Sequence, residues 1–172
     1  MKNAIVLDKL KKETKFKSSP VILCVSTINF SLLEVYSDEA VRLQDIIDTD
    51  GKNVFRITYN KLTTIAKNEL EKTLEKIVLD NETRFVDFFN TAKPIGLRRH
   101  QLDLLPMIGK RHRDIILKYL KDNGKFNSFD DIRKIPTIPD PLKMVVGRII
   151  EELQGSEDKY HLFTIPFIKK TF

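Results

Sequence analysis

The chain has one cysteine among its 172 residues. That excludes an intramolecular disulfide and any metal site built on cysteine pairs, and it fits a reducing compartment. Cys24 lies inside the apolar run Val21-Ile-Leu-Cys-Val25, the setting of a buried structural thiol rather than a nucleophile. Histidine is nearly as scarce. His100, His112 and His161 have no metal-ligand spacing, so neither metal nor cofactor is expected. The six glycines form no phosphate-binding loop followed by Lys and Ser/Thr, and no nucleophile elbow. No apolar run approaches the roughly 20 residues of a membrane-crossing helix, and no signal-peptide pattern is present. A soluble, cytoplasmic protein without a membrane partner is the expectation.

Catalytic readings find little support in what remains. Asp130, Asp131 and Asp140 would suit a metal-dependent nuclease, but each stands where a helix cap belongs. Lys110 near Asp114 resembles the lyase pair of repair glycosylases, which need a larger pocket than this chain readily builds. The chain is expected not to be an enzyme.

Charge is abundant. Charged residues make up 31% of the chain and hydrophobic ones 41%, with a net charge of +6 and a pI near 9.3. The hydrophobic share is enough for one packed domain or two small ones, and the basic excess favours acidic partners.

Residues 1–60 read as β structure. Segments 4–7, 21–26, 30–36, 41–47 and 53–59 are short, rich in Val, Ile, Leu and aromatics, and separated by polar turns. Five short strands suggest a small OB/SH3-like barrel, because closure removes exposed edges. Between Asp8 and Pro20 a polar loop carries Lys9, Lys11, Lys12, Lys15 and Lys17. It reads either as a solvated loop or as a cationic arm that settles on phosphates, with Phe16 as a stacking residue.

From residue 61 the period becomes helical. Ala66, Leu70, Leu74, Ile77 and Val78 form one stripe, and Phe85, Val86, Phe88 and Phe89 a second, ended by Lys93-Pro94. Asp80 or Asn81 is placed to cap the second helix. Residues 61–93 are thus connecting helices. Residues 94–155 read as four helices in two hairpins: 97–105 and 111–120 flank the first, while Ser128, Asp131 and Asp140-Pro141 mark the helix starts of the second. Residues 156–172 form a tail, apolar and basic from Tyr160, which either returns to the barrel as a strand or extends as an interaction segment.

The first hairpin, Leu104-Leu-Pro-Met-Ile-Gly-Lys110, carries the functional signal. A helix N-terminus offers free N–H groups and a positive partial charge, and Lys110, Arg111 and Arg113 add full charges there. Gly109 lets a phosphate approach the backbone or supplies a left-handed residue. Arg98, Arg99 and His100 precede it within reach of the same surface. The competing reading is a structural αα-hairpin with a solvated basic face. A typical hairpin of this kind has two glycines, and Met107 stands at the first of those positions.

Tyr59-Asn-Lys-Leu-Thr-Thr-Ile-Ala-Lys-Asn-Glu-Leu70, Glu82-Thr-Arg-Phe-Val-Asp-Phe-Phe-Asn90, the hairpin, Ser128-Phe-Asp-Asp-Ile132, Arg148-Ile-Ile-Glu-Glu-Leu153 and Lys159-Tyr-His-Leu-Phe163 together resemble an uncharacterised archaeal family, domain-of-unknown-function family 655. The resemblance implies an α+β protein, an OB-like barrel followed by a helix-hairpin-helix domain, and nucleic-acid binding with a link to ribosomes or translation. The expected function is non-catalytic binding of ribosomal RNA by a ribosome-associated or assembly protein, with ribosomal proteins as further partners. Its candidate contacts are Arg98, Arg99, His100, Gly109, Lys110, Arg111 and Arg113 on the hairpin and Lys11, Lys12, Lys15 and Lys17 on the loop. The alternatives are a DNA-binding module of repair or recombination and a protein-interaction adaptor. No feature of the sequence fixes an oligomeric state.

Overall fold

Apolar residues recurring along the first third of the chain produce five antiparallel strands. In the computed structural model, which describes residues 2–13, 18–155 and 160–167, these are β1 (Asn3–Glu13), β2 (Ser18–Ser26), β3 (Leu32–Tyr36), β4 (Ile46–Asp48) and β5 (Asn53–Arg56), in the order β4-β1-β2-β3-β5. They belong to the first of two compact units, Met1–Leu74 with Ile149–Phe172; the second is Glu75–Arg148.

The sheet has to curl. Its two edge strands, β4 and β5, are joined by residues 49–52 alone, a link reaching at most about 18 Å when extended. A flat sheet would hold strands four spacings apart at about 19 Å. The link is not extended either, since Lys52 N–H bonds Thr49 O at 3.3 Å and Gly51 sits at φ 73°. A bulge between Val6 and Asp8 adds bend to β1. One cluster fills the concave side: Ala4, Val6, Ile22, Cys24, Val35 and Ile47, with Val54 packed against it. Cys24 is fully buried there, and burial pushes its thiol up to about 12, as a structural thiol requires. The fold is α+β, with a curled five-stranded half-barrel. The ladder does not close as a barrel would: among the described residues no pairing joins β4 to β5.

Several boundaries differ from the sequence pattern for local reasons. Gln44 adopts φ 70°, and Asp45 accepts from Arg42 N–H at 2.8 Å, so the expected strand over 41–47 is a turn followed by the short β4. Phe30, at φ 58°, is the buried end of a turn, and β3 begins two residues later. The expected polar loop after Asp8 is in its first half a strand: Lys9, Lys11 and Lys12 pair with Ile22, Pro20 and Ser19 across β1 and β2.

Helix α1 (Thr64–Asp80) contributes residues 64–74 to this unit and buries Ala66, Leu70 and Leu74. Thr63 starts it, accepting from Ala66 N–H at 3.1 Å and donating to Asp8 Oδ2 at 2.5 Å. The carboxyl-terminal segment is neither strand nor free tail over its described residues. The buried Glu152 carboxylate accepts from the backbone N–H groups of Leu162, Phe163 and Thr164 at 2.6, 3.2 and 2.9 Å. Arg56 donates to Ile165 O at 2.5 Å and lies over the Phe167 ring. Lys169, Lys170 and Phe172 lie outside the described residues.

The second unit holds the end of α1, then α2 (Glu82–Thr91), α3 (Lys110–Asn123), α4 (Phe129–Arg133) and most of α5 (Pro141–Gln154). Phe85, Val86 and Phe89 are buried as the aromatic stripe requires. Asn81 makes no side-chain cap for α2; its amide instead donates to Ile77 O at 2.8 Å.

Two stretches repeat one design at a spacing of thirty residues. In Leu105-Pro-Met-Ile-Gly109 and Ile135-Pro-Thr-Ile-Pro139 the middle residue is left-handed, Met107 at φ 64° and Thr137 at φ 72°. Leu105 N–H bonds Leu102 O at 3.1 Å and Ile108 N–H bonds Leu105 O at 3.2 Å. Ile135 to Ile132 and Ile138 to Ile135 repeat this at 3.1 and 3.4 Å. The first turn packs on α5, where a Cβ added at Gly147 would stand 2.9 Å from Pro106 Cγ.

That close approach gives a test. Gly147→Ala gains about 1 kcal/mol of helix propensity but drives a methyl into a proline ring with little freedom to retreat, an overpacking that costs about 1–3 kcal/mol. Thermal unfolding should therefore show a destabilised protein. A stabilised one would mean that the first turn does not bear on α5.

Candidate functional site

Residues 93–105 do not form the helix expected over 97–105. Pro94 and Gly96 disfavour one, and the chain closes on itself instead. Gln101 N–H bonds Lys93 O at 2.9 Å, Lys93 N–H bonds Gln101 Oε1 at 2.8 Å, and Ile95 N–H bonds Arg99 O at 2.9 Å. Gly96, Leu97 and Arg98 form the exposed tip. Only Gln101–Leu104 is left to coil, as a single 3-10 turn.

His100 caps that turn. Its Nδ1 accepts from Leu102 N–H at 3.2 Å, while Asp103 Oδ2 accepts from His100 N–H at 2.8 Å. The ring is buried, so its expected role as a phosphate contact gives way to a structural one. Arg113 is similarly engaged: its guanidinium reaches Asp103 at 2.9 Å and Asp114 at 2.9 and 3.0 Å. Two carboxylates offset its charge, and its main work is to tie α3 to the preceding turn. His112 Nδ1 lies 3.0 Å from Met107 O and steadies the left-handed residue.

Gly109, Lys110 and Arg111 remain open. Gly109 is the N-cap of α3 and has no side chain to accept from the first turn; Lys110 and Arg111 are exposed. The backbone N–H groups of residues 110–112 bond no acceptor among the described residues. Gly109 has φ −107° and ψ 179°, ordinary extended backbone, and an added Cβ would meet nothing within 4 Å. It is Met107 that takes the left-handed role typical of glycine. The second repeat is arranged differently. Asp140 Oδ1 accepts from Leu142 N–H at 2.8 Å and meets Arg133 at 3.3 Å, so α5 begins already capped by an anion.

The loop and α3 enclose an open groove of about 750 Å³, with Arg98, Arg99 and Lys110 on its walls and Ile108 and Leu117 as its apolar lining. Arg111 faces a neighbouring surface with Lys110 and Lys118. The structure thus gathers Arg98, Arg99, His100, Gly109, Lys110 and Arg113 around one groove. Lys11 and Lys12 belong to the other unit; Lys11 is exposed on β1, and Lys12 is bonded to Glu34 at 2.5 Å, which with the adjacent Lys61 holds that carboxyl below its ordinary range against the effect of burial. Lys15, Lys17 and Phe16 lie outside the described residues. Sequence reasoning missed Leu97, taken as a helical residue and in fact fully exposed at the loop tip; Pro94 and Gly96 were the signal that a loop stood there. Among the described residues no three His, Cys, Asp or Glu side chains come together as a metal site, and no helix is long and apolar enough to cross a membrane.

The His100 cap is pH-sensitive. Burial pushes its imidazole below the ordinary 6.5, with Arg113 adding to the effect and Asp103 opposing it. A depressed value means that below 6.5 the unfolded chain takes up the proton first. Stability present above 6.5 is therefore lost as pH falls through the folded value. Thermal midpoints between about pH 7.5 and about pH 5 should fall less steeply in His100→Asn, which keeps a capping side chain without titrating. Equal slopes in the two proteins would remove His100 from the acid response.

The family model described as "Protein of unknown function (DUF655)" matches residues 2–165. The crystal structure of Af1531 from Archaeoglobus fulgidus, a protein of that family, is similar at a TM-score of 0.83 and 34% identity, covering 96% of this chain and all of that one. The uncharacterized protein MJ0038 of Methanocaldococcus jannaschii is 39% identical over 108 residues, 62% of this chain and 49% of that protein. The match thus spans about half the length of this curated relative.

Proposed function

The chain belongs to the DUF655 family, whose function is unknown, and we propose that it binds nucleic acid without catalysing a reaction, holding the sugar-phosphate backbone at the N-terminus of α3. The observation that carries this reading is the contrast between the two repeats. One helix starts with its own carboxylate at the cap; the other starts with a bare glycine, unbonded amides and two exposed cations. Phosphate is the anion that such a start receives best. The repeated turn supports reading residues 94–155 as a tandem helix-hairpin-helix domain in which the first hairpin binds and the second completes the fold. The curled half-barrel supports an OB-like reading of the first unit.

RNA is the preferred partner, with ribosomal RNA the target and a ribosome-associated or assembly role in the cytoplasm. A backbone-gripping hairpin accompanied by an OB-like barrel suits irregular folded RNA, and α3 presents its end rather than a face to read a groove. The DNA-binding and adaptor readings become outcomes of the test.

The test leaves Arg113 in place because it holds the site together. In Lys110→Ala/Arg111→Ala, two exposed charges are lost, each contributing about 1 kcal/mol near a phosphate in water, so affinity for a folded RNA should drop roughly thirtyfold while the unfolding midpoint stays put. The salt dependence should flatten by about one unit for each phosphate contact removed. Gly109→Ser, whose hydroxyl would cap the amides itself, should keep or raise stability and weaken binding. Unchanged affinity in both folded variants would place binding elsewhere. At physiological salt, ribosomal RNA fragments should outcompete duplex DNA of equal length; the opposite order would favour the repair reading.

A further inference from the structure

Two glycines in the second unit are required neither by a left-handed backbone nor by a close approach within the fold, and both line the same groove. Of the six, Gly51, Gly124 and Gly155 have positive φ, and Gly147 is pressed by Pro106. Gly96 and Gly109 have neither feature: no left-handed φ, and nothing within 4 Å of where a Cβ would stand. A backbone position kept bare without need from the fold leaves room for something outside it. Gly96 and Gly109 both line the groove, one on the loop and one at the start of α3.

Leu97 adds the chemistry. It projects fully into solvent from a loop whose base is fixed by the Pro94–His100 bridge and the Lys93–Gln101 bonds. Leu97 is the most exposed large hydrophobic among the described residues, and a ligand that covered it would gain apolar burial that the fold leaves unused. With Ile108 and Leu117 it makes a small apolar lining among Arg98, Arg99 and Lys110, far short of the roughly 800 Å² per partner of a stable protein interface. An exposed apolar tip beside cations has the form of a wedge entering a base step.

Resting on the nucleic-acid reading above, we propose that the groove seats a strand containing an unpaired nucleotide. Gly96 and Gly109 give the sugar-phosphate backbone room to pass, and Leu97 fills the gap left by the unstacked base. Forcing such a wedge into an intact duplex costs a few kcal/mol of stacking energy; at a bulge or junction that disruption already exists. The loop therefore selects bulged over fully paired RNA, whereas Lys110 and Arg111 bind both.

The experiment compares RNA hairpins of equal length, with and without one bulged nucleotide, each carrying a fluorescent aminopurine beside the test position. The full-length chain should prefer the bulged RNA by roughly ten- to hundredfold, the scale of burying one leucine side chain, and should change the aminopurine emission. Leu97→Ala removes an exposed side chain and so leaves the fold intact. It should abolish the preference and the emission change while retaining the salt dependence. Leu97→Phe should retain all three. Equal binding of the two RNAs by the unaltered chain, or an undiminished preference in Leu97→Ala, would overturn the wedge and leave the α3 site standing. Failure to bind either RNA would overturn both and leave Leu97 to a protein surface.

Discussion

Asp103 holds the walls of the groove in one arrangement through a single carboxylate. It accepts from the His100 amide at 2.8 Å on the loop side and from the Arg113 guanidinium at 2.9 Å on the α3 side. Both partners are charge-assisted, the stronger class of hydrogen bond, and the pair is largely withdrawn from water. That tie joins the start of the short 3-10 turn to the first turn of α3. Buried Leu102, Leu104, Leu105 and Ile108 anchor this segment in the core. On the proposed reading, rigidity matters because a surface that is already ordered loses little conformational entropy when a ligand arrives.

The two turns, thirty residues apart, share one backbone design and lead into differently capped helices. Both turns carry proline, a left-handed residue and isoleucine, and both bury the residue before the proline. They diverge at the helix cap, which the second turn reaches one residue later, after Pro139. Asp140 satisfies the start of α5 from within, which stabilises that helix and makes it unattractive to an outside anion. Gly109 forgoes that stabilisation, and the protein is left with an electropositive helix end on its surface. Giving up a cap at one helix while keeping it at its twin is a local departure from best stability, of the kind found where structure serves binding.

Legibility in the sequence followed the strength of the periodicity. The stripe from Ala66 to Val78 and the aromatic run of α2 were plain, because one face of each helix is buried and the other is wet. Lys9, Lys11 and Lys12 read as loop because the outer half of β1 pairs with β2 as a two-stranded ribbon that is mostly exposed on both sides, which removes the alternation that marks a strand. Gln44 ended a β-like segment by a backbone conformation its side chain does not advertise. Gly109 was recognised as the centre of the site, but its reason lay in the neighbouring Met107, which took the left-handed conformation and left the glycine free of it. His100 and Arg113 were read by charge as ligand contacts; their engagement by Asp103 comes from folding of the loop, which no spacing rule displays. The helix expected over 97–105 failed for the same cause, since pairing of Lys93 with Gln101 overrides local helix propensity.

The central claim is that α3 presents its unbonded amides to a nucleic-acid backbone. The most direct measurement is a titration of the isotope-labelled protein with a folded RNA, followed through its backbone amide resonances. The account predicts saturable shifts concentrated at residues 109–112 and at the 96–99 loop, with the anion-capped start of α5 at residues 141–143 unmoved. Shifts confined to the sheet, or equal at the starts of α3 and α5, would contradict it.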